Sequence, residues 1–100
     1  MTSTMQSEKE CWLCRWLYNN SNTYGLEEHH VFPGTANRKK SEQYGLKVWL
    51  CYEHHRTGKN AVHNCRATMD LLKAEGQETF EKSHTREEFI KEFGKNYLED

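Results

Sequence analysis

One segment, residues 46–55, constrains the fold of this chain most, because an apolar strand there runs directly into side chains that bind metals. Its centre, residues 48–50, combines valine, tryptophan and leucine, which favour an extended backbone and give it an apolar face. Cys51 and His54 follow three positions apart, close enough for both to reach one ion. A chain built around such a segment must bring the remaining ligands from elsewhere in the sequence.

Cys11 and Cys14 form a Cys-x-x-Cys pair near the start of the chain. The two-residue gap lets both thiolates contact one tetrahedral zinc ion at about 2.3 Å. Together with Cys51 and His54 they would make a structural Cys3His zinc site, and Cys65 is the alternative fourth ligand. A structural zinc can contribute roughly 10–16 kcal/mol to folding, which a chain of 100 residues with 35% hydrophobic residues would need.

Disulfides and redox chemistry are the other uses of four cysteines. Residues 1–10 have no basic region followed by an apolar one, so they predict no secretory signal peptide. No apolar run approaches the roughly 18 residues that a membrane span requires. A redox Cys-x-x-Cys pair normally lies between a strand and a helix of a larger α/β fold than this chain can form. We therefore expect a cytoplasmic protein that binds zinc and contacts no membrane.

The predicted secondary structure is a hairpin followed by helices. Residues 24–32 and 46–51 are predicted to be its two strands, joined by a long, polar and basic loop at residues 35–44. A helix is expected over residues 61–75, with Gly76 as its C-terminal stop. The apolar positions of this helix share one face, which we expect to pack on the hairpin.

The C-terminal part of the chain is predicted to be helical. Thr85 and Glu88 have the spacing of a capping box, in which the threonine caps the helix and the glutamate reaches back. A stripe at helical spacing follows, and we interpret it as a packing surface: Phe89, Ile90, Phe93 and Tyr97. The chain thus divides into a disordered N-terminus, a zinc-stapled domain and a helical extension that packs on it, at residues 1–10, 11–76 and 77–100.

The order of the motifs is itself informative. It runs Cys-x-x-Cys, His29-His30, a strand, Cys-x-x-His-His and then His63. This order resembles that of the HNH endonucleases, the ββα-metal class, and residues 29–63 look closest to small phage-type members. The resemblance implies an α+β fold, with a ββα-metal (HNH) core, a zinc knuckle as staple and C-terminal helices. In zinc-containing members of the class two Cys-x-x-Cys pairs bracket the first catalytic histidine, and here a Cys-x-x-His stands for the second pair.

The resemblance also implies roles for individual histidines. In the class, the residue before the first catalytic histidine binds the metal and that histidine is the general base, which makes His29 a ligand and His30 the base. The residue after the second zinc pair, here His55, is another metal ligand. A third ligand often follows on the helix; His63 lies eight positions on, so residues 56–60 would have to form an inserted turn.

Two further features complete the expected site. The class has a central asparagine that braces the loop between the strands; this chain has no clean match, and Asn37 is the candidate. The expected reaction is hydrolysis of a DNA phosphodiester bond, in which His30 takes a proton from water and a divalent metal stabilises the leaving 3′ oxygen. Three imidazoles could hold Mg, Mn, Ni or Zn as the catalytic ion. The resemblance implies products with 5′-phosphate and 3′-hydroxyl ends.

Charge is distributed unevenly along the chain. The net charge is only −1, which argues against a nucleic-acid partner, yet residues 28–66 carry seven basic and three acidic side chains. This basic excess surrounds the histidines, where a phosphate backbone would lie. The expected phosphate contacts are Arg38, Lys39, Lys40, Arg56 and Lys59.

Two functions are compatible with the sequence. The first is a metal-dependent DNA endonuclease or nickase, encoded by a phage or prophage, acting in the bacterial cytoplasm and positioned on DNA by a phage or host protein. The alternative is a non-catalytic zinc-binding adaptor for nucleic acid or protein. The histidines favour the enzyme, since five of them lie near the cysteine motifs and the zinc staple would use only one.

Overall fold

The computed structural model describes residues 3–98. Its elements, in chain order, are helix α1 (Trp12–Tyr18), strand β1 (Leu26–His30), helix α2 (Thr35–Tyr44), strand β2 (Lys47–Cys51), a π-helical turn (Glu53–Thr57), helix α3 (Arg66–Phe80) and helix α4 (Arg86–Phe93). Residues 1 and 2 of the predicted N-terminal segment and residues 99 and 100 of the predicted C-terminal extension lie outside the described residues. The fold is α+β, as the sequence predicted.

The two strands form an antiparallel pair in which Leu26 faces Cys51 and His30 faces Lys47. Residues 3–10, predicted from their polarity to be disordered, have no helix or strand but make hydrogen bonds at the free edge of the pair. There the Gln6 side chain accepts a hydrogen bond from the backbone N–H of Trp49, in β2, at 2.9 Å. This edge of β2 is therefore covered by the chain's own N-terminal segment.

The expectation of a loop at residues 35–44 is wrong, because these residues form the ten-residue helix α2. Its alanine, arginine, lysines and glutamate are good helix formers, and Gly45 ends it in a left-handed conformation at φ 69°. Buried Ser41 fixes the helix to the segment that follows β1, since its Oγ donates to Phe32 O and accepts from Phe32 N, both at 3.1 Å. The connection between the strands is thus an ordered element.

The helix after the hairpin begins and ends later than predicted. It runs over Arg66–Phe80, not over residues 61–75, and Gly76 lies inside it. A Cβ at position 76 would lie 3.1 Å from Phe32 Cε2 and 3.3 Å from Val31 Cγ1, so the helix packs too closely there for a larger residue to fit without a shift. Gly76 therefore serves close packing and does not end the helix.

An aromatic cluster joins the C-terminal helices to the hairpin. The Phe32 ring contacts those of Phe89 and Phe93, with ring centroids 5.5 and 4.6 Å apart. The predicted capping box of α4 is confirmed: Glu88 N donates to Thr85 Oγ1 at 3.0 Å, and Thr85 N donates to Glu88 Oε1 at 2.8 Å. No helix within residues 3–98 has the length and apolar character needed to cross a membrane.

Candidate metal centres

Four buried side chains that could bind a metal converge where α1, β2 and the π-helical turn meet. Cys11 caps the N-terminus of α1, and its Sγ accepts a hydrogen bond from Cys14 N at 3.4 Å. Cys51 is the last residue of β2, and His54 lies in the π-helical turn that follows. The fold thus brings together the Cys-x-x-Cys and Cys-x-x-His segments whose spacing predicted a shared ion.

Distances within this Cys3His cluster match those of ligands around one tetrahedral ion. His54 Nδ1 lies between 3.3 and 3.6 Å from the three cysteine sulfurs, and Cys14 Sγ lies 3.9 Å from Cys51 Sγ. Bonds of about 2.3 Å to sulfur and about 2.0 Å to nitrogen, at tetrahedral angles, place ligand atoms roughly 3.5–3.8 Å apart. All four cysteines of the chain are free of disulfides. The cluster could therefore hold a metal such as zinc.

Burial favours the protonated thiols of Cys11 and Cys14 in the Cys3His cluster unless a cation binds there. Burial raises the pKa of the Cys11 thiol to about 12, and it also raises the pKa of Cys14. A buried thiolate is unfavourable unless a positive charge compensates it, and zinc binds cysteine as the thiolate. Asn22 Nδ2 donates to Cys14 Sγ at 3.6 Å, an outer contact of the kind that supports a ligating sulfur. Cys65, the alternative fourth ligand, instead lies at the N-cap of α3, outside this cluster.

A second cluster consists of three histidines from three segments. His29 lies in β1, His55 in the π-helical turn and His63 between that turn and α3. The His29 ring centroid lies 5.3 Å from each of the other two, which are 4.8 Å apart. One ring nitrogen of each histidine lies within 4.8 Å of the other two. The fold therefore brings together the three histidines that were expected to share the catalytic ion.

The π-helical turn explains how two adjacent histidines serve different clusters. Successive helical residues point in different directions, so His54 meets the cysteines while His55 meets the other histidines. The turn begins earlier than the insertion that the sequence predicted, and Gly58 N closes it by donating to Glu53 O at 2.8 Å. A Cβ on Gly58 would lie only 2.8 Å from that oxygen. Buried Val62 then donates its N–H to His54 O at 2.8 Å. This hydrogen bond holds the chain beside the turn, so that the next residue, His63, lies close to the other two histidines.

The buried His29 ring fits a metal-binding role. Its Nε2 is buried and has no hydrogen-bond partner within residues 3–98, and an unpartnered buried nitrogen is costly. Burial lowers the pKa of His29 from its ordinary value near 6.5 to about 3, so the ring is neutral with a lone pair available. His63 Nε2 lies 3.1 Å from His55 Nε2. That distance falls within the roughly 3.0–3.4 Å expected for two imidazoles that share an ion at about 2.1 Å.

Glu27 is a site residue that sequence reasoning missed. Its Oε1 accepts hydrogen bonds from His55 Nδ1 at 2.7 Å and from Arg56 Nε at 3.2 Å. The hydrogen bond from His55 lowers the pKa of Glu27, so the carboxylate is ionised and holds the proton of His55 on Nδ1. This leaves the lone pair of His55 Nε2 for the cluster. Strand alternation was the available signal, because Glu27 and His29 stand two residues apart and share a face of β1.

The general base expected from the resemblance, His30, points to the face of β1 opposite to His29. Its Nε2 lies 2.8 Å from Glu42 Oε1 on α2, and Glu42 Oε2 accepts from Lys47 Nζ at 2.9 Å. His30 and the three-histidine cluster nevertheless line one open cleft of about 330 Å³. Asn37, the expected bracing residue, lies in the first turn of α2 and does not line this cleft.

The expected phosphate contacts occupy different positions around the site. Arg38 and Arg56 line the cleft that holds the histidines. Lys39 lines an adjoining groove beside His30, and Lys59 is exposed after the π-helical turn. Lys40 instead donates from Nζ to a backbone carbonyl of α4. The two arginines are therefore the basic residues best placed to meet a ligand at the histidines.

Comparison with known proteins adds no identification, since no protein-family model, curated protein or solved structure matches this chain. The resemblance to the HNH endonucleases therefore depends on the order and spacing of motifs in this chain.

Proposed function

We propose that this protein is a metal-dependent endonuclease or nickase of the HNH type, which hydrolyses phosphodiester bonds of DNA. The observation that supports this most is the three-histidine cluster, which is separate from the Cys3His cluster and shares a cleft with His30. A protein that uses zinc only for stability needs one closed site with four ligands. An enzyme needs, in addition, a site with an open position and a free base beside it.

The donor set indicates which ion the three-histidine cluster would take. Neutral imidazoles suit zinc, nickel and other borderline transition ions better than magnesium, which prefers oxygen ligands. His29, His55 and His63 would hold the ion, and Glu27 would orient His55 through the hydrogen bond to its Nδ1. When bound, such an ion supplies positive charge that stabilises the charge developing on the phosphate and on the leaving 3′ oxygen.

His30 is the proposed general base. It lies outside the three-histidine cluster, so its ring remains able to take a proton from water. Its side chain is 13% exposed and lines the cleft, where water and a phosphodiester can reach it. In the proposed step the water oxygen bonds to phosphorus while its proton passes to the His30 ring, the bond between phosphorus and the 3′ oxygen breaks, and the 3′ oxygen takes a proton from solvent water to become the 3′-hydroxyl.

Arg38 and Arg56 would bind the phosphates of the strand. Both line the cleft, and Arg56 is oriented by Glu27, whose Oε1 lies 3.2 Å from its Nε. Contacts to phosphate carry no sequence information, so we expect cleavage with little sequence preference. Any choice of target would then come from a phage or host protein that places this one on DNA.

The alternative is a zinc-binding adaptor, and exposed aromatic side chains near the cysteine cluster favour it. Trp16, Tyr18 and Tyr52 are 52%, 65% and 55% exposed. Exposed aromatic residues are enriched where proteins contact partners or stack on bases. Since both functions allow binding to nucleic acid, cleavage is the property that separates them.

A plasmid-nicking assay tests the proposed nuclease. Supercoiled plasmid is incubated with zinc-, nickel-, manganese- or magnesium-loaded protein, using wild type, His30→Ala and His84→Ala. Wild type should produce nicked circles with a transition ion, and His30→Ala should be at least about 100-fold slower, because general-base catalysis contributes roughly 10²–10⁴-fold. His84→Ala is the matched control, since it removes an imidazole that packs on Phe80 and should cleave like wild type.

The loss in His30→Ala must occur in a folded protein, so its circular dichroism and zinc content should equal those of wild type. Equal cleavage by wild type and His30→Ala would remove His30 from the role of base. Failure of wild type to cleave with any of these ions, combined with tight binding of nucleic acid or protein, would identify the adaptor instead.

A further inference from the structure

A charged network links β1, α2 and β2 beside the proposed site. Lys47 is only 1% exposed, although lysine is rarely buried without a partner. Its Nζ contacts Glu42 Oε2 at 2.9 Å and Glu28 Oε2 at 3.3 Å. The other oxygen of Glu42 lies 2.8 Å from His30 Nε2. Glu42 therefore connects a buried ammonium group to the ring of the proposed base.

A third metal ion is one possible occupant of this network, because ligand atoms of Glu28, His30 and Glu42 lie within 4.8 Å of one another. The buried ammonium of Lys47, however, already contacts both carboxylates. An ion there would have to displace this ammonium and leave it buried without its partners, which is strongly unfavourable. The network is better explained as a hydrogen-bonded support for His30.

The direction of the hydrogen bond to His30 follows from the state of Glu42. Glu42 Oε2 accepts from the buried ammonium group of Lys47 at 2.9 Å, which favours the ionised carboxylate, and an ionised carboxylate can only accept hydrogen bonds. His30 must then donate from Nε2. In a neutral imidazole one nitrogen carries the proton and the other has the lone pair, which leaves Nδ1 as the atom that can accept a proton.

We infer that Glu42 is a positioning residue for His30, which holds the proton of the ring on Nε2 and so makes Nδ1 the atom that accepts a proton from water. Lys47 anchors the carboxylate by binding Oε2, which leaves Oε1 for the ring. The catalytic consequence rests on the proposed nuclease function, whereas the tautomer of His30 can be measured without it. The position of Glu42 depends on α2, the helix that the sequence had predicted to be a loop.

NMR of the histidine rings tests the tautomer directly. Long-range ¹H–¹⁵N spectra at about pH 8.5, where a free imidazole is neutral, distinguish protonated from unprotonated ring nitrogens. The His30 signals are assigned by their loss in His30→Ala. Wild type should show the proton on Nε2, and Glu42→Leu should show a mixture of both tautomers. A wild-type ring with its proton on Nδ1 would overturn the inference.

Glu28→Gln is the matched control for this measurement. It changes the other partner of Lys47 but leaves the contact between Glu42 and His30 in place, so the wild-type tautomer should persist. If Glu42→Leu does not fold, the double substitution Glu42→Leu with Lys47→Met takes its place. This double substitution removes both members of the buried charge pair, and replacement of such a pair by apolar groups of similar size is often tolerated.

Cleavage kinetics give a second readout. Glu42→Leu should lower kcat about tenfold or more with KM little changed, and Glu42→Gln, whose amide oxygen can still accept from Nε2, should restore most of the rate. A wild-type protein that has the expected tautomer but cuts no DNA would refute the nuclease and leave the orientation of His30 intact. Equal kcat in wild type and Glu42→Leu would refute the positioning role and leave the nuclease intact.

Discussion

Burial is what makes individual cysteines and histidines of this protein candidates for metal binding. An exposed imidazole is satisfied by water and a buried one must find a partner inside the protein, whereas a buried thiol packs as a small apolar group unless a cation binds it as the thiolate. Cys11 is fully buried, and His29 is 4% exposed with Nε2 unpartnered among residues 3–98. A cation in each cluster would therefore give His29 Nε2 the partner that it lacks and would stabilise Cys11 as the thiolate.

Cys11→Ser should unfold the protein or lower its melting temperature sharply. A zinc ion in the Cys3His cluster would contribute roughly 10–16 kcal/mol, as much as the roughly 5–15 kcal/mol by which a typical domain is stable. Cys65→Ser is the matched control, because Cys65 lies outside the cluster and its substitution should shift the melt by only a few degrees. Thermal melts followed by circular dichroism measure both variants. If Cys11→Ser had the same melting temperature as wild type, the cysteine pair would hold no structural ion.

Among the elements, the π-helical turn Glu53–Thr57 is the one that supplies a histidine to each cluster, His54 to one and His55 to the other. Such turns are rare and are often found at functional sites. Adjacent residues of the turn, His54 and His55, face different groups, so a change in its winding would move both. Gly58 is the residue that lets the turn close.

Gly58→Ala should disturb both clusters at once. The added Cβ would meet Glu53 O at 2.8 Å, and this backbone atom cannot move without shifting the turn. Overpacking of this kind costs about 1–3 kcal/mol, which urea denaturation should detect together with weaker zinc binding at the three histidines. Thr57→Ala, at the exposed preceding residue, is the control and should resemble wild type. If the two variants have the same stability and the same zinc affinity, the closure of the turn does not position the ligands.

Among the helices, strands and turns, the features that the sequence could predict are those that depend on the spacing of residues along the chain. The spacing of the cysteines and histidines predicted which segments converge, and the capping pattern at Thr85 and Glu88 predicted the start of α4. The helix α2 was missed because its residues form no apolar stripe, although they are good helix formers. The roles of Gly76, Glu27 and Glu42 depend on contacts between distant segments, which spacing alone does not reveal.

In the whole molecule, the two clusters tie together segments that are distant in sequence. The radius of gyration is 13.0 Å, as expected for a compact domain of this length. The Cys3His cluster joins α1 to the end of β2, and the three-histidine cluster joins β1 to the segment before α3. Metal binding and folding should therefore be coupled across the protein, with each ion holding different elements.

This fold should hold two ions in separate clusters, and its metal content tests that most directly. Equilibrium dialysis at a fixed free zinc concentration, followed by elemental analysis, measures the ions bound per chain. Wild type and His84→Ala should bind about two zinc ions, and His55→Ala should bind about one while remaining folded. A single ion in wild type that is retained in His55→Ala would contradict this expectation, because the three histidines would then hold no metal.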